Sequence, residues 1–163
     1  MASVERFKGT FSEMARPNRY VVRGFGLPAE LEFHARSASL PSATIGVAEA
    51  WHGGRATKLG GDRVYPDWTI TVYQSHQASI YREFELWQEL VLLHEQNVGS
   101  PNKADYKRDG QVWQLGRDDS LIVGFNIVGA VPIELGALEL AADSNDTPAE
   151  FTVTLAYDYF VMV

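Results

Sequence analysis

Residues 151–162 alternate. Phe151, Val153, Leu155, Tyr157, Tyr159 and Val161 fall on one parity, and Thr152, Thr154, Ala156, Asp158, Phe160 and Met162 on the other. Side chains of an extended strand point to opposite faces in turn, so this run predicts a strand with one face on a core. A strand this long and this apolar recruits other chains unless both of its edges are paired. The fold must therefore be built around a sheet, and something must satisfy that edge.

Other segments read the same way. Residues 19–25 (RYVVRGF) follow Pro17 as a strand, and Gly24, Gly26 and Pro28 mark a turn. Residues 30–38 predict a second strand with Leu31 and Phe33 on one face, ended by Leu40-Pro41. Residues 44–58 predict an extended hairpin or long loop containing Gly53-Gly54. Trp68, Ile70 and Val72 share one face of a strand, with Thr69, Thr71 and Tyr73 on the other. Further strands are expected at 111–115, 120–128 and 137–142.

One amphipathic helix interrupts these strands. Ile80, Phe84, Trp87, Val91 and His94 recur every three or four residues, and Leu90 and Leu93 widen the stripe. The pattern predicts a helix over 79–96, with Ser75 or Ser79 as N-cap and the sequence NVGSP as its stop. His94 is expected to be packed on its apolar side. The fold class is thus mostly β (α+β): an antiparallel sandwich or barrel with one flanking helix, in a single domain of 163 residues.

Charge narrows the function. The chain carries 14 Lys and Arg against 21 Asp and Glu, a net charge of −7, which opposes a nucleic-acid-gripping role. It has no cysteine, which excludes disulfides, thiolate metal sites and cysteine nucleophiles. Residues 1–20 lack a signal-peptide-like apolar segment, and no run approaches the length of a membrane-spanning helix.

No chemistry-bearing constellation emerges. His34, His52, His76 and His94 are not spaced as metal ligands, and neither HExxH nor Gly-x-Ser-x-Gly occurs. Asp118 and Asp119 are adjacent, so on an extended chain they diverge. The acids at 143–146 lack the glycine and distal glutamate of an EF-hand loop and read as a polar turn. Gly60-Gly61-Asp62 leads into a strand rather than a helix N-terminus, so it is no phosphate cradle. No enzyme, cofactor or metal is expected. Of the four tryptophans, Trp51 lies in a loop and is the candidate for surface contact.

The order of motifs resembles a known family. ARPNRYVV (15–22), FHARSASLP (33–41), GGDRVYPDWTITV (60–72), REFELWQ (82–88) and FTVTLAYDYF (151–160), with Arg117-Asp118, Gly129 and Leu138-Glu139-Leu140 between them, are similar to the tail tube proteins of contractile-tailed bacteriophages. The resemblance is weaker over 53–58 and 103–110. It implies a structural subunit of hexameric rings stacked into a tube, with strands of all six subunits lining a lumen that conducts DNA without binding it specifically. It also implies sheath, baseplate, tape-measure and tail-terminator partners, and a place in the virion tail after assembly in the host cytoplasm.

On this reading Gly60, Gly61, Asp62 and Arg63 form an exposed tip that reaches a neighbouring ring. Phe7 and Phe11 dock an N-terminal arm (1–15) that orders on assembly. Glu134, Glu139 and Asp158, acids that interrupt or border apolar strands, face the lumen and repel phosphates. Two other readings stay open: a tube subunit of a bacteriocin-like or type VI-like injection machine, and a monomeric β-barrel that binds a small apolar ligand.

Overall fold

The computed structural model describes residues 4–10 and 14–163. Its elements are α1 (Val4–Thr10), β1 (Tyr20–Gly24), α2 (Leu31–His34), β2 (Ala35–Ala38), β3 (Thr44–His52), β4 (Arg55–Val64), β5 (Trp68–Tyr73), α3 (Ser79–Val91), α4 (Lys103–Tyr106), β6 (Arg108–Leu115), β7 (Leu121–Leu135), β8 (Glu150–Ala156) and β9 (Tyr159–Met162). Mostly antiparallel β structure with one substantial helix is what the sequence predicts; three short helices add to it.

The main sheet runs β1-β6-β7-β8-β5-β2, and β9 also pairs with β7. It curls until its end strands meet, where the Tyr20 hydroxyl of β1 donates to the Ala35 carbonyl of β2 at 2.8 Å. β7 makes the curl possible by changing partners along its length. Residues 108–115 of β6 pair with its first part up to Ala130, and β8 pairs from Val131 onward. Gly129, at φ +69°, sits at this change, in a left-handed conformation that favours glycine.

The interior is filled rather than hollow. Trp68, Ile70 and Val72 from β5 face Phe151, Val153 and Leu155 from β8, as their alternation predicts, and all are buried. Helix α3 lays Ile80, Phe84 and Trp87 over this layer. Phe25 stacks on Trp68 and also meets Trp87. Phe84 stacks on Trp87, and Tyr81 stands edge-on to Phe151.

Five local expectations are corrected. Residues 31–34 form α2 rather than a strand, so Leu31 is buried while Phe33 is 82% exposed. Leu31 and Phe33 share a face in a strand but not in a helical turn. The 137–142 segment is irregular, leaving β7 to run fifteen residues without that extra neighbour. Helix α3 stops at Val91, so His94 falls in the following turn, exposed and paired with Glu85 at 3.0 Å. Ala78, in a left-handed conformation without a side-chain cap, precedes α3; neither serine caps it. Finally, the alternating C-terminal run is broken at residues 157–158 into β8 and β9.

Candidate functional site

The hairpin β3–β4 is the most unusual feature. Its strands have nine and ten residues, pair only with each other among the described residues, and are exposed at every position. An isolated two-stranded hairpin is marginal in water, because it has no face on a core. Yet this one carries Ile45, Val47, Trp51, Leu59 and Val64, all largely exposed. At about 3.3 Å per residue its arms are on the order of 30 Å long.

The hairpin's tip is not where the sequence reading put it. Gly53 and Gly54, at φ +58° and +78°, form the two-residue turn between His52 and Arg55. Two consecutive left-handed residues give the mirror-image turn that matches strand twist, and glycine accepts it readily. Gly60, Gly61, Asp62 and Arg63 instead lie within β4 near the hairpin's base, with Gly60 opposite Val47 and Arg63 opposite Ile45. The register slips between those pairs. A Cβ on Gly61 would come within 3.0 Å of the Gly46 carbonyl oxygen, whereas one on Gly60 would meet open space. The Gly-Gly pair thus serves a bulge that bends the hairpin at its root.

Trp51 is near the tip, in β3 rather than a loop, and 69% exposed. It shares a face with Val47, Glu49 and Lys58, because its register partner is Ala56 and that of Glu49 is Lys58. The Glu49–Lys58 pair spans 3.9 Å. Arg55 and His52 face the opposite side.

The remaining candidates scatter. Phe7 lies on α1, which buries no residue, and Phe11 lies outside the described residues. Glu134 is exposed on β7, beside a bulge. Glu139 is exposed, but in the irregular 136–149 segment, so the argument that it interrupts a strand no longer applies to it. Asp158 stands at the β8–β9 break, where both of its carboxylate oxygens accept from Lys107 Nζ at 2.6 Å. Asp118 and Asp119 lie in a turn rather than on an extended chain, with Asp119 at φ +62°. Asp118 accepts from the Ser120 hydroxyl and amide, which hold its carboxyl below the usual range, and Asp119 pairs with Arg19.

One organising feature of the chain carries no motif. From Asp118 to Val163 there are eight Asp and Glu and no Lys, Arg or His, whereas the first 117 residues hold all 14 Lys and Arg against 13 acids. The near-neutral part includes the hairpin, and the acidic part includes the 136–149 segment. A running charge count along the chain would have found this.

Comparison with known proteins gives the surface its context. A family model described as phage tail tube protein matches residues 7–163. The chain is 30% identical over 149 residues to tail tube protein gp19 of Enterobacteria phage T4, covering 91% of each. It is 29% identical to the tail tube protein of Serratia phage KSP90, covering 96% of this chain and 95% of that one. Among solved structures, a chain of the six-fold symmetrised baseplate of the anti-feeding prophage superposes with a TM-score of 0.70 at 14% identity, covering 94% of this chain and 97% of that one.

Proposed function

This chain belongs to the phage tail tube protein family, and on that premise we propose that it builds the inner tube of a contractile tail as stacked six-membered rings whose lumen conducts DNA. The observation that carries the reading is the β3–β4 hairpin, long, apolar in part, and exposed at every position. A surface of this kind is stable only when something covers it, and in a homopolymer the covering partner is another copy. The six-fold symmetry of the baseplate that holds a chain of this fold supports the same stoichiometry.

The outer edge of β9, unpaired among the described residues and with Tyr159, Val161 and Met162 exposed, offers a second contact. Pairing that edge with a neighbouring subunit would remove the liability that the alternating C-terminal run predicts. Trp51 and the strand residues Gly60, Gly61, Asp62 and Arg63 take part through the hairpin, and Phe7 and Phe11 through the N-terminal arm. Glu134 is our leading lumen-facing acid, since it stands exposed on a strand without a basic partner among the described ion pairs. Sheath, baseplate, tape-measure and terminator proteins complete the tail around the tube.

The filled interior argues against a ligand-binding barrel: Trp68, Trp87, Phe25, Phe84 and Phe151 occupy the space a small molecule would need. Negative-stain electron microscopy of the purified protein tests the proposal. Rings or tubes with a central channel support it, and featureless monomers at high concentration contradict it.

A further inference from the structure

We propose that the hairpin tip of one copy seats in the acidic groove formed by the 136–149 segment and the start of β8 of another copy. The inference rests on the tube reading above and names the receiving surface for the hairpin within it. The groove is a cleft of about 510 Å³. Its walls mix the apolar Ala137, Leu140, Ala141 and Pro148 with polar groups, among them Glu150, which is paired with Arg36, and Leu140 is 82% exposed. Glu139 lines it directly, and Asp143 and Asp146 belong to the same segment, which contains no base.

The tip is its complement. Trp51 presents a large exposed ring beside Lys58 on one face, and Arg55 extends from the other. Between His52 and Lys58 the hairpin carries bases and no acid. An indole that packs on the cleft's apolar residues while flanking cations meet carboxylates is the usual anatomy of an anchored contact, a buried aromatic inside a charged rim. Among the described residues the hairpin strands pair only with each other, and Trp51 at the tip is 69% exposed. The division of charge therefore serves assembly, because it sets the basic tip of one subunit against the acidic segment of the next and discourages tip-to-tip contacts.

The cysteine-free sequence makes the test clean. Ala56→Cys, beside Trp51 on the tip, is combined with Ser144→Cys, which lines the groove. Assembled tubes are treated with a flexible bis-maleimide and run on a denaturing gel. A ladder of multimers that needs both cysteines supports the proposal. Tubes seen by microscopy that give no ladder overturn it while leaving the tube reading intact; a wild-type chain that never assembles overturns both. A charge exchange provides an independent arm. Asp143→Lys with Asp146→Lys should slow tube growth about tenfold through like-charge contact with the tip, without altering the monomer's melting. Adding Arg55→Glu and Lys58→Glu to that variant should restore growth. Unchanged growth in the Lys variant would overturn the proposal.

Discussion

Lys107 Nζ donates to both carboxylate oxygens of Asp158 at 2.6 Å, and this pair closes the corner where β7 changes partners and the C-terminal strand breaks. Asp158 also donates its amide to the Val128 carbonyl, and Asp109 accepts from the Gly129 amide at 2.9 Å. One carboxylate on each side thus ties down the bend. A Cβ on Gly129 would lie 2.3 Å from Asp158 Oδ2. Gly129→Ala is therefore expected to destabilise the monomer by about 1–3 kcal/mol through its left-handed backbone, before any clash is counted. Gly60→Ala, facing open space, should cost clearly less; urea unfolding of the two variants checks the ranking.

Trp87 tests the core. It is fully buried between Phe25 and Phe84, its indole donates to the Tyr106 carbonyl at 2.5 Å, and Arg108 lies over its ring. Trp87→Ala is expected to cost about 3–5 kcal/mol. Trp87→Phe should cost less but leave the Tyr106 carbonyl without its donor. Thermal melting that left the alanine variant unchanged would contradict this packing.

Tyr20 predicts an alkaline weakness. Its hydroxyl joins the two end strands of the sheet, and burial raises its pKa above the ordinary tyrosine value of 10.0. A raised pKa means that the fold favours the protonated phenol. The associated stability is fully present below the unfolded-state pKa and is lost as pH rises through the higher folded-state value. Tyr20→Phe should cost about 1 kcal/mol at neutral pH and flatten the loss of stability above pH 10. Equal alkaline slopes for both proteins would remove Tyr20 from that role; Tyr157, also raised by burial, would then be the next group to test.

The lumen assignment has its own test in Glu134. Duplex DNA carries about one negative charge per 1.7 Å, so added cations in the channel hold it by counterion release. Glu134→Lys should leave tubes assembling while DNA passage slows and becomes dependent on salt. Unaffected passage would place Glu134 on another face. Asp158 is unsuited to this experiment, because replacing it breaks the Lys107 pair.

Where periodicity was strong, the sequence was legible. The β5 alternation and the Ile80–Phe84–Trp87 stripe both identified their buried faces, because each reports directly on a core. Legibility failed where another force won. Residues 31–34 are too few to show a period, and backbone bonds from Leu31, Glu32 and Phe33 to the residues just before them wind them into a turn. The 137–142 segment has strand-like residues but no neighbour to pair with. The break at residues 157–158 sets Asp158 against Lys107, distant in sequence, so no local pattern reveals it. The hairpin was half legible. Gly53-Gly54 marks its turn, but the second glycine pair drew attention to its base, where the bulge requires Gly61. The receiving groove carried no motif, only a charge imbalance visible over dozens of residues.

The exposed hairpin remains the centre of the account, and sedimentation velocity tests it most directly. The full chain is compared with a variant in which residues 47–60 are replaced by a two-residue turn below the bulge. Because β3 and β4 contribute no buried residue, the variant should melt like the full chain and sediment as a monomer, twelve residues lighter than the 18.1 kDa full chain, while the full chain sediments as rings and longer polymers. A shortened chain that polymerises as readily as the full one, or a full chain that stays monomeric at every concentration, would contradict the account.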